Sequence, residues 1–362
     1  MRYIDEYRNP LLARGLLDRI AALAGRIGRP VTLMEVCGSH TQAIGRYGIR
    51  SLLPPSIRLV SGPGCPVCVT SIRDVDAAHH LAALPGLIFA VFGDMMRVPG
   101  TGGKTLQQLR ASGAEIRVVP SALDIVAMAE NEPGGEVVFM GIGFETTAPT
   151  VAAALRTADR KGIGNLSVLS VHKLVPPALR LLLADPALNL DGFLCPGHVS
   201  TMIGSRAYAF IAEAGRAAVV TGFEPVDILE GLLMLLEQVD APRREVAIQY
   251  SRGVRPEGNP RAMALMHEVF ETGDAEWRGL GTIEGSGLSI SRAYERFDAR
   301  KRFAIPEMAS AEVPGCACGE ILRGIREPAT CPLFRRLCTP ADPVGPCMVS
   351  SEGTCAAHYR YG

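Results

Sequence analysis

The side chains that could do chemistry here are mostly thiols. Ten cysteines stand at positions 37, 65, 68, 195, 316, 318, 331, 338, 347 and 355. In a large chain with reduced thiols such a number points to metal or redox chemistry rather than to a disulfide framework. Six fall between 316 and 355, in a Pro- and Gly-rich stretch. Four thiolates suffice for a [4Fe–4S] cluster. A structural zinc site usually shows two short Cys-x2–4-Cys knuckles, and the close pair Cys316-Ala317-Cys318 is too tight for one. Spacing alone does not choose four ligands among six, and a cluster, a zinc site and unligated thiols all stay open.

Two further constellations follow predicted strands. Cys65-Pro66-Val67-Cys68 comes out of a Gly62-Pro63-Gly64 turn and opens a helix. A helix N-terminus lowers a thiol's pKa, and this spacing lets a disulfide form and break; a lone zinc knuckle or two inert thiols are the rival readings. Cys37-Gly38-Ser39-His40 offers a thiolate and an imidazole to one soft or borderline metal, or a nucleophile and its base. The plainer alternative is a buried cysteine beside a capping Ser39. Glu145 and His198 are further catalytic candidates, against a carboxylate that merely complements a helix dipole and an ordinary loop histidine. Cys195 reads as a buried strand residue and His79-His80 as a solvated or half-buried helical pair. Residues 98–105 imitate a phosphate loop, but Val98 stands where that pattern needs glycine.

These residues need positioning elements. Short apolar runs at 31–36, 57–61, 87–92, 116–119, 136–142, 166–171, 192–195, 217–221 and 245–250 read as strands. Helical patterns lie at 11–27, 69–83, 121–131, 146–160, 176–184, 201–214 and 226–238. The alternation predicts parallel sheets covered by helices on both faces. So many strands suggest two tandem α/β domains, over 1–118 and 119–240, followed by a Cys-rich C-terminal domain over 241–362. From about 255 the strand alternation fades. Reactive residues follow strand after strand, so a cleft beyond the carboxyl ends of the strands is expected to gather them.

Composition narrows the partners. The 362 residues carry 37 Lys+Arg and 37 Asp+Glu, so net charge gives no reason to expect nucleic acid or an anionic membrane. No apolar run reaches the ~18–20 residues of a membrane span, and the start, MRYIDEYRNP, lacks the apolar core of a signal peptide. A cytoplasmic, non-membrane protein is expected.

The motifs CGSHT (37–41), SGPGCPVCVT (61–70), FGDMMRVPG (92–100), GFETTAPT (143–150), PGHVS (196–200) and GPCMVSSEGTCAAHYRY (345–361) together resemble the HypD family of [NiFe]-hydrogenase maturation factors. Gln42 departs from the second histidine expected there. The resemblance implies a protein that helps assemble the Fe(CN)2CO group with a HypC-type chaperone and HypE, the cyanide donor. It implies Cys37 as iron ligand or essential contact with His40 beside it, Cys65 and Cys68 as a redox pair, and Cys316, Cys331, Cys338 and Cys355 as holders of a [4Fe–4S] cluster. A ferredoxin-linked thiol–disulfide oxidoreductase without an iron-scaffold role is the alternative, and a zinc-stabilised binding module is a third reading.

Overall fold

The computed structural model describes residues 5–362. All nine predicted strands form: β1 (Val31–Glu35), β2 (Ile57–Ser61), β3 (Leu87–Val91), β4 (Ile116–Val118), β5 (Glu136–Gly141), β6 (Leu166–Ser170), β7 (Gly192–Pro196), β8 (Ala217–Thr221) and β9 (Val246–Ile248). They make two parallel sheets, in the orders β2-β1-β7-β8-β9 and β4-β3-β5-β6. Strands such as β3 and β8 are buried throughout, because helices cover both faces of a parallel sheet. The helix Pro10–Ile27 illustrates the local logic. The Asn9 side chain accepts the Leu11 and Leu12 N–H groups, Pro10 opens the helix, and Gly28 closes it in the left-handed conformation. Its buried side, Ile20, Leu23 and Ala24, joins the first sheet's core with Leu232 and Leu236 of the helix Pro225–Asp240.

The sheets are interleaved along the chain. The chain leaves the first sheet after β2, builds the whole second sheet, and returns with β7–β9. The expected division at 118/119 falls between β4 and β5, inside one sheet. Hydrophobic periodicity reports that a strand exists; it does not report its neighbours, and consecutive strands lie side by side only about two-thirds of the time.

The other difference lies at 270–290, where no strand was predicted. An antiparallel hairpin forms there from β10 (Phe270–Trp277) and β11 (Gly281–Ile290), with a register break between Gly273 and Ala275. FETGDAEW and GTIEGSGLSI are rich in residues that strands disfavour, so packing against the second sheet decides this element. The expected helix over 201–214 is interrupted after Ile203 at Gly204. Residues 305–362 contain only turns and short helices, ending with Thr354–Tyr361. Among the described residues, no helix is long and apolar enough to cross a membrane.

Candidate functional site

The carboxyl edge of the first sheet carries the thiol chemistry. β1 runs into Cys37, which takes an extended conformation and starts the helix Gly38–Arg46. The Cys37 N–H donates to Glu35 Oε2 at 3.0 Å, and Thr41 Oγ1 donates to Glu35 Oε1 at 2.5 Å. The turn after β2 lies directly on this backbone. The Gly38 N–H donates to the Gly64 carbonyl at 2.9 Å, and a Cβ on Gly64 would stand 2.2 Å from Cys37 N. Only glycine permits that approach. Burial pushes the Cys37 thiol up to about 12, against the pull of the His40 and Ser39 N–H groups. The thiol therefore keeps its proton until a cation or metal replaces the missing solvation.

His40 is fully buried. Its Nε2 lies 2.9 Å from the Gly222 carbonyl and 3.1 Å from the Thr221 carbonyl. Two acceptors there assign the proton to Nε2, and Nδ1 is left as a buried lone pair without a partner. Burial pushes this histidine down to about 4. Gly222 is itself held, its N–H donating to Gln249 Oε1 at 3.0 Å, and Gln249 Nε2 donates on to Asp227 at 2.8 Å. His198 lies in the first turn of the helix Gly197–Ile203, exposed, stacked on Phe223 with ring centroids 3.9 Å apart. The same Phe223 ring lies 5.2 Å from His40.

The C-terminal segment closes over this edge. Glu352 Oε1 accepts from Ser39 Oγ at 2.7 Å, and Ser350 Oγ donates to Asp94 Oδ2 at 3.0 Å. Glu352 and Phe223 escaped sequence reasoning. Neither has a spacing cue, and Glu352 reaches Ser39 across 313 positions.

Cys65 and Cys68 form a disulfide, with Cα atoms 5.3 Å apart, inside the span a bridge requires. Cys65 caps the short helix Pro66–Val69, its sulfur accepting the Cys68 N–H at 3.3 Å. On one side this pair follows Gly64, the residue pressed against Cys37. On the other, Cys68 Sγ lies 4.0 Å from the Pro346 carbonyl, next in sequence to Cys347.

The six C-terminal thiols, Cys316, Cys318, Cys331, Cys338, Cys347 and Cys355, line a single tight pocket of about 10 Å³, with Leu333, Phe334 and Met348 among its apolar walls. Cys318 and Cys347 touch each other, Sγ to Sγ at 2.8 Å. Cys316 hydrogen-bonds with Cys318, and Cys355 with Cys347. A Cβ on Gly345 would sit 2.9 Å from Cys316 Sγ, so glycine keeps clearance at the pocket wall. Among the described residues, no three His, Cys, Asp or Glu side chains are placed to hold a metal ion; these thiols ring a volume instead of meeting at a point. Soft donors around an apolar volume fit a multinuclear iron–sulfur group better than one tetrahedral zinc.

Glu145 belongs to the other sheet. It is buried, its Oε1 accepts the Val175 N–H at 3.0 Å, and its Oε2 has no partner. Burial pushes it up to about 7. Beside it, His172 is buried with Nδ1 3.0 Å from Ser170 Oγ, and Lys173 Nζ pairs with Asp74 at 3.1 Å. The hairpin covers this edge. The Leu174 N–H donates to the Ser286 carbonyl at 2.8 Å, and Ser170 Oγ donates to the Leu288 carbonyl at 2.6 Å. Trp277 stacks 6.0 Å from Phe144 and donates its indole N–H to Ser286 Oγ at 2.8 Å. Cys195 is buried inside β7 as expected. His79 is buried too, burial pushing it down to about 4 against the pull of Asp76, and His80 stays partly accessible.

The match to known proteins covers this whole arrangement. The family model HypD, described as the hydrogenase formation hypA family, matches residues 11–362. The chain belongs to the HypD family. It is 47% identical over 370 residues to hydrogenase maturation factor HypD2 of Bradyrhizobium diazoefficiens, covering all of this chain and 97% of that protein. It is 47% identical to hydrogenase maturation factor HypD of Rhizobium leguminosarum bv. viciae and of Rhodobacter capsulatus, covering 96% and 98% of those chains. HypD membership makes hydrogenase maturation its coarse function, and implies work alongside other maturation proteins.

Proposed function

We propose that this chain is a scaffold and redox component for assembling the Fe(CN)2CO group of [NiFe] hydrogenases. It acts in the cytoplasm with a HypC-type chaperone and with HypE as cyanide donor. The iron is substrate, taken at Cys37 with His40 beside it. Cys316, Cys331, Cys338 and Cys355 would hold a [4Fe–4S] cluster, which when bound supplies electrons one at a time to neighbouring thiols.

One observation carries the reading: the thiols form a contiguous series. Cys37 lies under Gly64, Gly64 leads into the Cys65–Cys68 disulfide, and Cys68 meets Pro346 beside Cys347 on the pocket wall. Cys318 and Cys347, both on that pocket wall, touch each other. Reducing the Cys65–Cys68 bond takes two electrons and two protons and returns two thiols. The neutral Cys37 thiol gives up its proton as it ligates iron, and thiolate softness suits a low-spin Fe(II) with strong-field ligands. Glu352 and Ser39 fix the loop that presents it.

The test is infrared spectroscopy of the anaerobic complex with a HypC-type chaperone. Bands in the cyanide and carbonyl region are expected, and are lost in Cys37→Ala. A complex without those bands that still turns over protein disulfides would support the oxidoreductase reading instead. For the cluster, iron and sulfide analysis of Cys331→Ser should find the group lost.

A further inference from the structure

The electrons consumed in that scheme must enter from outside, and the structure presents one entrance. Between the pocket residues Phe334 and Cys338 runs the exposed turn Arg335-Arg336-Leu337. The turn is tightly built. The Arg336 and Cys338 N–H groups both donate to the Leu333 carbonyl, at 3.1 and 2.9 Å, and the Arg335 N–H donates to the Cys338 carbonyl at 3.2 Å. Arg335 has φ +57, one of two non-glycine residues with positive φ among those described. Such a conformation is strained for a residue with a Cβ, where glycine would remove the strain. Its guanidinium ties the turn to the last helix through the Tyr359 and Gly362 carbonyls at 3.2 and 2.8 Å.

What the turn displays is unusual for this molecule. Leu337 is 68% exposed, a large apolar side chain beside a buried thiol. Arg335, Arg336 and the neighbouring Arg360 are all exposed, and among the described residues none of them is in an ion pair. Asp342 is the one acidic residue between Cys331 and Cys355 apart from Glu352, which faces Ser39. A chain of zero net charge therefore carries a basic patch with an apolar centre directly over its thiol pocket.

We propose that Arg335-Arg336-Leu337 is the docking surface for a small one-electron carrier protein with an acidic face. This rests on the cluster reading above. Electron-transfer encounters use small interfaces, steered by complementary charge and released quickly. Leu337 supplies the apolar contact, the arginines supply the steering, and Cys338 lies one residue from the docked surface. Each encounter moves one electron from the carrier, which is oxidised, to the cluster, which is reduced; no bond forms and no proton moves. Two encounters supply one disulfide reduction.

The test uses the full-length chain, purified anaerobically, and a reduced acidic [2Fe–2S] ferredoxin as probe. Stopped-flow absorbance follows reduction, and titration calorimetry follows binding. Arg336→Glu should slow the second-order reaction about tenfold or more at low salt, with the gap closing as salt is raised. Leu337→Glu should weaken binding and rate together. Leu11→Glu, on an equally exposed leucine of the helix Pro10–Ile27, should change neither. Reduction by dithionite should be equal in all variants. Wild-type rates and affinities in both Arg336→Glu and Leu337→Glu would overturn the docking site. A colourless protein that dithionite does not bleach would instead remove the cluster reading on which it stands.

Discussion

Two sheets of the same design meet different fates at their carboxyl edges. In the first, β1, β2, β7 and β8 end in Cys37, the Gly62–Cys68 turn, His198 and the Thr221 and Gly222 carbonyls. This edge is covered by the C-terminal segment through Glu352; Cys37 and His40 are buried, and His198 is exposed. In the second, β5 and β6 end in Glu145 and in His172-Lys173, equally suggestive side chains. There the hairpin β10–β11 fills the crevice, seats Trp277 against Phe144, and bonds to Ser170 and Leu174. Open parallel sheets offer a ligand crevice at this edge, and here a C-terminal segment covers one crevice and a hairpin fills the other. On the proposed function, the polar groups of the hairpin-filled edge act on stability and those of the first edge act on substrate.

The largest effect should come from undoing the filled edge. Trp277 is among the largest fully buried side chains, and its N–H is bonded. Trp277→Ala should cost about 4 kcal/mol, read as a lower denaturation midpoint, while thiol reactivity at Cys37 in the folded fraction stays unchanged. A variant of normal stability would erase the distinction between the edges. Glu145→Gln sharpens it through pH. Burial pushes Glu145 up to about 7, so the folded state favours the protonated acid. That stability is fully present below the ordinary carboxyl range and is lost as pH rises through 7. Gln keeps an acceptor for the Val175 N–H and does not titrate. Relative to Glu145→Gln, the native chain should lose about 3 kcal/mol between pH 4.5 and 8. Denaturant melts across that range check it; a constant difference between the two proteins would mean that Glu145 is charged and solvated.

Most of the fold was legible and the pairing was not. Every strand of the two parallel sheets announced itself as an apolar run, because parallel strands buried on both faces need one. The interleaving of the sheets is a long-range choice that no local pattern encodes. The hairpin was invisible because Glu271, Asp274 and Gly285 contradict strand propensity and only the second sheet's edge holds them. At the site, motif chemistry pointed to Cys37, His40 and the Cys65–Cys68 pair. It also pointed to Glu145, whose carboxylate is buried at the end of the second sheet. It missed Glu352 and Phe223, which act only through folding. The mutual contact of Cys318 and Cys347 also needed coordinates, since no spacing rule separates them from the other four thiols.

A smaller effect is expected where the two thiol motifs touch. A Cβ on Gly64 would meet the Cys37 backbone, so Gly64→Ala must shift the turn or the helix start, at about 2 kcal/mol. The specific readout is Cys37 itself. Displacing Gly64 opens a path for water, lowers the thiol's pKa toward the usual range, and speeds alkylation at pH 8. Unaltered alkylation would mean that the Gly64 carbonyl and its bond to the Gly38 N–H do not shield the thiol.

The smallest stability change and the cleanest contrast belong to His198. The residue is exposed, its ring stacks on Phe223, and among the described residues no side-chain hydrogen bond holds it. Exposed substitutions of this kind stay within about 0.5 kcal/mol, so His198→Ala should melt like the native chain. Yet it removes the imidazole that stands at the mouth of the Cys37–His40 edge, against the same phenyl ring that His40 meets. Maturation of hydrogenase should therefore fall while the denaturation midpoint does not move. His172→Ala is the mirror experiment, since that histidine is buried, bonded to Ser170 and packed on Phe270. It should lose stability in proportion to its buried contacts, and any fall in maturation should follow the folded fraction. If His198→Ala and His172→Ala instead lost stability and function in the same ratio, the two edges would not be divided between chemistry and packing.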